Sequence, residues 1–241
     1  MRLPVLYQDD DLIVVHKSSG LLVHRSALDR HAQEFAMQTV RDQIGQLVYP
    51  VHRLDRATSG ALIFALSSDV ARIMSQRFAE GQVVKKYLAI VRGVPSERVT
   101  LNYPLREELD RKADTMARRD KPAQTAITHF TTLASYEFQE CVDKYPTSRY
   151  SLVRAEPETG RKHQIRRHLH RLGHPIVGDV TYGSGKHNRF FRERYQVQRL
   201  FLACTEMSFA HPRTEQPLSV RAPLAADFQH VVESLGWGEH A

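Results

Sequence analysis

Residues 51–66 read VHRLDRATSGALIFAL. One carboxylate, Asp55, stands between Arg53 and Arg56, and Thr58, Ser59 and Gly60 then turn the chain into an apolar run. Six apolar residues in a row, bounded by a turn, predict a buried strand. The stretch therefore places a lone acid, flanked by cations, at the edge of a sheet. Two readings follow for the acid. Either the arginines clasp a loop, or Asp55 is kept ionised for chemistry.

Working outward, LVYPVHRL ahead of the motif predicts a strand, as do VLY and LIVVHK near the N-terminus, joined by a turn at QDDD. Asp9, Asp10 and Asp11 are read as solvated turn acids rather than metal ligands, because turns favour Asp. Residues 34–44 carry Phe35, Met37, Val40 and Ile44 at mainly helical spacing, with Gly45 as the stop. A second helix is predicted over 68–80, opened by Ser68, with Val70, Ile73, Met74 and Phe78 on its apolar face. KKYLAIVRG (85–93), TAITHFTTLASY and RYSLVRAEPETG read as strands of a mainly antiparallel sheet. Residues 105–122 mix charges of both signs and read as an exposed excursion rather than a domain linker, with contact to RNA an open alternative. GDVTYGSGKHNRF is read as a Gly-rich loop, 199–209 and 216–221 as two strands, and 225–235 as a closing amphipathic helix. With no repeat and no composition break, residues 1–241 are expected to form one α+β domain.

The bulk numbers narrow the function. Lys and Arg outnumber Asp and Glu by 34 to 27, a formal charge of +7, with a sequence pI near 9.5. That excess favours a polyanionic partner. The two cysteines, Cys141 and Cys204, offer neither a zinc spacing nor a disulfide framework. No signal-peptide pattern and no apolar run of membrane-spanning length appears, so the expectation is a cytoplasmic protein with no membrane partner.

The cations gather in RKHQIRRHLHRLGH (161–174), where Ile165, Leu169 and Leu172 form one apolar stripe of a helix. Arg161, Lys162, Arg166, Arg167 and Arg171 accompany it with no acid among them. Like charges on one helix repel unless a polyanion offsets them, so this face is expected to bind phosphates. His163, His168, His170 and His174 match no standard zinc spacing and are read as packing or polyanion contacts.

VHRSALDR (23–30) echoes the opening motif and makes Asp29 a rival to Asp55. Asp29 leads into a polar approach to a helix, whereas Asp55 leads onto a rigid strand, the better seat for a reactive group. A glycosidase needs a second carboxylate to protonate its leaving group, and none accompanies Asp55. One carboxylate near guanidinium groups, its pKa held low, suits attack on a sugar, or proton removal from it, when the leaving group needs no external acid.

Three stretches together resemble the RluA family of RNA pseudouridine synthases: HRLDRATSG (52–60) its catalytic-aspartate motif, KKYLAIVRG (85–93) its tyrosine-bearing strand, and TGRKHQIRRHL (159–169) its arginine motif. DLIVVHKSSGLLVH (11–24) resembles its N-terminal strand and loop, although His16, Lys17 and Ser18 stand where many members have Asn-Lys-Pro. LLVHRSALDR, MQTVRDQIGQ and YPTSRYSLV further resemble a branch that modifies uridine 65 of tRNA.

The resemblance implies a mixed, largely antiparallel sheet with flanking helices and a central catalytic cleft. Unlike several relatives, the chain is expected to lack an S4-type RNA-binding domain, because its first predicted strand begins almost at residue 5. It implies isomerisation of a uridine without metal or organic cofactor. Asp55 becomes the catalytic carboxylate. Tyr87 would lie against the flipped uracil as candidate base for the C5 proton, and Arg166 would pair with Asp55. Ile165 would wall the base, and Arg53 would support the flipped nucleotide. His52, Arg161, Lys162 and Arg167 complete the expected substrate contacts. A monomer acting on tRNA is the leading expectation. Action on ribosomal RNA, a non-catalytic RNA-binding protein and a nucleoside or glycoside hydrolase are the rivals.

Overall fold

The computed structural model describes residues 2–24, 34–108 and 122–240. In chain order the elements are β1 (Val5–Gln8), β2 (Leu12–Lys17), α1 (Ala36–Ile44), β3 (Tyr49–Pro50), β4 (Ser59–Ala65), α2 (Ser68–Ala79), β5 (Val84–Arg92), β6 (Arg98–Asn102), β7 (Ile127–Phe138), β8 (Ser148–Pro157), α3 (Gln164–Arg171), α4 (Gly185–Tyr195), β9 (Leu202–Ala210), β10 (Pro217–Arg221) and α5 (Ala226–Ser234).

The strands form a ten-stranded sheet in the order β1-β2-β4-β9-β5-β8-β7-β6, with β3 added to β4 and β10 to β9. Every pairing between these strands is antiparallel except β4 with β9, which run parallel for only two residue pairs, Ser59 with Ala203 and Gly60 with Cys204. This is the mixed, largely antiparallel α+β architecture expected. The brief parallel contact divides the sheet. One apolar cluster gathers around β2, β4, α1 and α2, and a second around β5, β8, α3 and α5; Tyr87 packs against both.

Gly60 makes that seam possible. Its φ is +112°, and a Cβ there would sit 2.1 Å from the Cys204 carbonyl oxygen. No side chain fits, so the sequence Ser-Gly after the Asp55 loop is what lets β4 come against β9. All seven residues of β4 are buried, as its unbroken apolar run predicts.

Most predicted elements are present. Gly45 ends α1 in the left-handed conformation and donates to the Arg41 carbonyl. The cap of α2 is Ser67, one residue ahead of the serine expected, and its side chain accepts from the Val70 amide. Three elements differ. The strand expected over LVYPVHRL shrinks to Tyr49–Pro50, so residues 51–58 form a loop. β6 was not foreseen. The second half of the expected Gly-rich loop is helix α4, which buries only His187 and Phe191, too sparse a stripe to stand out among its charges. Within 105–122, the segment 109–121 lies outside the described residues. Among the described residues no helix is long and apolar enough to cross a membrane.

Candidate active site

Asp55 sits in the loop immediately ahead of β4, where the Thr58 amide donates to its carbonyl and closes a turn. Its side chain is 20% exposed. A cleft of about 890 Å³ opens beside it, lined from β5 by Lys85 and Tyr87 and from the 159–166 segment by Arg161, Ile165 and Arg166. That volume is in the range of ligand-binding cavities.

The loop is pinned from below by Lys17. This side chain is fully buried at the end of β2, and its ammonium donates to the carbonyls of Ser18 (3.0 Å), Leu21 (2.7 Å) and Arg56 (3.1 Å). Burial pushes its pKa down to about 7, against the pull of Asp55. Ser19 adds a hydrogen bond to the Ala57 carbonyl at 2.7 Å. Thus the departure from Asn-Lys-Pro keeps the lysine, and with it the tie between the first loop and the loop of Asp55.

Arg166 comes to Asp55 from α3. Its Nη1 lies 3.6 Å from Asp55 Oδ2, a charge pair rather than a hydrogen bond. Its hydrogen bonds go elsewhere. Nε and Nη2 donate to Asp179 Oδ2 and Oδ1 at 2.7 and 2.9 Å, a bidentate fork. The Asp179 side chain is 1% exposed, and its Oδ1 also accepts from the amides of Thr181 and Tyr182. Burial alone would raise the Asp179 carboxyl, yet the Arg166 bonds and those amides hold it below its ordinary value. The two acids and the arginine form one constellation. The sequence reading missed Asp179 because nothing local marks it; its position in a Gly-rich turn suggested only a loop.

A second line of groups runs from Asp55 outward. His163, left-handed at φ +57° just ahead of α3, places Nε2 3.9 Å from Asp55 Oδ2, and its Nδ1 hydrogen-bonds the Tyr182 hydroxyl at 2.9 Å. That hydroxyl also donates to Glu108. Burial lowers the His163 pKa even though Asp55 pulls the other way. Gln164 anchors the turn. It accepts from the Thr159 hydroxyl and the Arg161 amide, and donates to the Ile127 carbonyl and the Thr128 hydroxyl.

Tyr87 lies on the cleft floor, half-buried, in register with Cys204 on β9 and Ala155 on β8. Burial, the facing Cys204 thiol and Asp55 raise its phenol well above the ordinary value. At neutral pH it keeps its proton, so a base at this position would act only from a minor phenolate fraction. Ile165 is buried and lines the same cleft, as an apolar wall requires.

The remaining expected contacts separate. Arg53 stands exposed on the cleft wall. His52 also lines the cleft, but its Nε2 accepts the Ile63 amide at 3.0 Å and its ring stacks on Phe78. Burial drives its pKa to about 3, so the ring is a neutral part of the framework. Arg161 and Lys162 are exposed beside the cleft, donating to the carbonyls of Thr125 and Glu108. Arg167 donates to the Arg106 carbonyl at 2.9 Å and pairs with Glu108 at 3.3 Å. Arg171 lies 3.5 Å over the Tyr103 ring.

The basic helix is therefore not one open face. Acids from elsewhere in the chain, Glu108 and Asp179, answer cations that looked unopposed locally. The histidines diverge: His168 bonds Thr128 and the Tyr103 carbonyl, His170 the Tyr182 carbonyl, and His174 the Arg92 carbonyl. Asp9 caps its own turn by accepting from the amides of Asp11 and Leu12. Asp29, the rival carboxylate, lies outside the described residues.

A seamed, largely antiparallel sheet with a carboxylate, a guanidinium and a tyrosine around one cleft is the arrangement that the resemblance to RNA pseudouridine synthases implies. The chain belongs to the RNA pseudouridylate synthase family, whose model matches residues 11–171. It is 52% identical over 237 residues to tRNA pseudouridine synthase C of Vibrio cholerae, covering 98% of this chain and 97% of that protein. The enzyme of the same name from Pasteurella multocida is 51% identical, with 98% of each chain covered. Among solved structures, human RNA Pseudouridylate Synthase Domain Containing 4 superposes with a TM-score of 0.72 at 26% identity, covering 97% of this chain and 93% of that one.

Proposed function

We propose that this protein isomerises a uridine of tRNA, at position 65, to pseudouridine, with Asp55 as the catalytic carboxylate. The observation that carries the reading is Asp55 itself: partly exposed, at the cleft, with Arg166 as a charge partner that is hydrogen-bonded to a different acid. The tRNA substrate is inferred from near full-length similarity to enzymes named for it.

Uracil leaves C1′ through N1, turns, and rejoins through C5, so the leaving group is also the returning nucleophile. One carboxylate then suffices, and no leaving group departs to solvent. Tyr87, which lines the cleft, would lie against the flipped base, Ile165 would wall it, and Arg53 would support the nucleotide at the rim. A uridine inside a stem must first be extruded, at a cost of a few kcal/mol. Arg161 and Lys162, exposed beside the cleft, would contribute phosphate contacts that offset it. The same reading makes residues 1–241 one catalytic domain, acting in the cytoplasm as a monomer without metal or organic cofactor.

tRNA carrying tritium at C5 of uridine should release it to water on incubation with the enzyme. Asp55→Ala should stop release while RNA binding stays within a few-fold. Release persisting in Asp55→Ala would overturn the assignment. Sequencing of the product tRNA for pseudouridine tests the position, and a ribosomal RNA pool labelled in the same way tests the rival substrate.

A further inference from the structure

Lys85 is a charge without a visible purpose. It lies on β5, 8% exposed, and lines the cleft of Asp55. Its neighbour Lys86 pairs with Glu206 at 2.8 Å; Lys85 does not. Among the described residues, no carboxylate and no hydrogen-bond acceptor pairs with its ammonium. The titratable groups around it are uncharged at neutral pH. Burial pushes the Cys204 thiol up to about 12, holds the Tyr87 phenol protonated and leaves His52 neutral. Burial of the side chain lowers the Lys85 pKa, and no partner among the described residues offsets the cost of its charge, as an electron-rich ligand in the cleft would do.

Strand geometry says what it faces. Residues two apart on a strand share a face and are separated by about 7 Å. The register irregularity beside Tyr87 places the extra residue, Thr205, on β9, so β5 keeps its alternation and Lys85 and Tyr87 look into the cleft together. A base resting on Tyr87 would turn one edge toward the Lys85 side chain.

We propose that Lys85 is a further catalytic residue, donating a hydrogen bond to a uracil carbonyl oxygen as the base separates from the sugar. The inference rests on the pseudouridine synthase reading. When N1–C1′ breaks, its electron pair stays on uracil and spreads to the O2 and O4 oxygens. C5 then bonds to C1′, the C5 proton is lost, and N1 gains one, so the overall change is an isomerisation. Lys85 transfers no proton. It holds the charge of the uracil anion while neither carbon–nitrogen nor carbon–carbon bond is made. The cleft offers no other unpaired ammonium so deeply buried among the described residues.

The test compares wild type, Lys85→Met and Lys85→Arg on C5-tritiated RNA, run as separate tRNA and ribosomal RNA pools under single turnover. Removing one preorganised donor to a developing anion costs about 10²- to 10³-fold in rate, and Lys85→Met should lose that much, with Lys85→Arg retaining more. The Kd for RNA should change less than about threefold, and the slope of log Kd against log salt should be unchanged. The Lys85→Met melting temperature should not fall, because an unpaired buried charge has been removed. A wild-type rate in Lys85→Met would overturn the proposal. So would a weakened Kd with a shallower salt slope and an intact saturating rate, which would make Lys85 a phosphate contact. Release from ribosomal RNA alone by the wild-type enzyme would instead overturn the tRNA reading, and the Lys85 comparison would still be read on that pool.

Discussion

Two loops each bring a carboxylate to the same guanidinium, and they do it in opposite ways. The loop ahead of β4 presents Asp55 at 3.6 Å from Arg166 and leaves it partly open to the cleft. The turn ahead of α4 presents Asp179, sealed from solvent, in a bidentate fork backed by two amides. Identical side chains thus receive different employment from burial and hydrogen bonding alone. Asp179 has its lone pairs spent on holding Arg166, whereas Asp55 keeps oxygens available to a substrate. Arg166 gains from both, and its guanidinium is held above its ordinary pKa despite burial.

Exchanging each acid for its amide should separate these roles. Asp55→Asn should abolish tritium release and leave urea-unfolding stability within about 1 kcal/mol, the usual range for a partly exposed site. Asp179→Asn should do the reverse in emphasis. Removing one partner of a buried ion pair costs about 3–5 kcal/mol, and single-turnover activity should fall but survive, because Arg166 loses its aim rather than Asp55 its reactivity. The pH dependence follows from the depressed Asp179 carboxyl. Its contribution to stability is complete above the unfolded carboxyl value of about 3.9 and is lost as pH falls through the lower folded value. The stability gap between wild type and Asp179→Asn should therefore be constant at neutral pH and shrink below about pH 4. A gap that persisted into acid would mean that the fork is not what Asp179 contributes.

The same contrast explains what could be read in the sequence. The turn from Asp55 into β4 was legible because its neighbours are local, a turn and then an apolar run that only a central strand accommodates; residues 51–54 ahead of it were expected as strand and are loop. Strands β4, β5 and β7 to β9, and helices α1 and α2, announce themselves in the same way. Asp179 was not legible, since its partner lies across the fold on α3. The cations of α3 misled for a related reason. Local sequence shows five of them without an acid, but Asp179 and Glu108 arrive from other elements and pair with two of the five, Arg166 and Arg167. Helix α4 was hidden by its composition, with two buried residues among lysine and arginines. Lys17 and His52 stood inside recognised motifs, yet their burial and hydrogen bonds turn on tertiary contacts.

Lys17 extends the comparison to what supports each acid. Asp179 is held by amides of its own turn, whereas the Asp55 loop is tied through an ammonium from β2 to the Arg56 carbonyl. Lys17→Met keeps the volume and removes three hydrogen bonds to a charged donor, each worth about 1.5–3 kcal/mol at most in isolation. Relief of the buried charge offsets part of that. The net expectation is a loss of about 2 kcal/mol and a rate reduced more than RNA affinity, measured by urea unfolding and single turnover. An unchanged rate would show that the Asp55 loop holds its shape without this tie, and that the β4 seam alone positions the acid.

The smallest effect is expected at Arg171, the α3 cation farthest along the helix from Asp55 in sequence. It lies over the Tyr103 ring rather than beside an acid of the site, and an exposed cation–π contact is worth about 0.5–1 kcal/mol. Arg171→Ala should cost no more than that in stability and leave the saturating rate unchanged. If Arg171 also meets a phosphate, the slope of log Kd against log salt should fall by about 0.7–0.9. Arg166→Lys, by contrast, would keep the charge and lose the fork to Asp179, so its rate should drop with the salt slope intact. Equal losses in the two variants would make both arginines phosphate contacts and would remove the contrast proposed between Asp55 and Asp179.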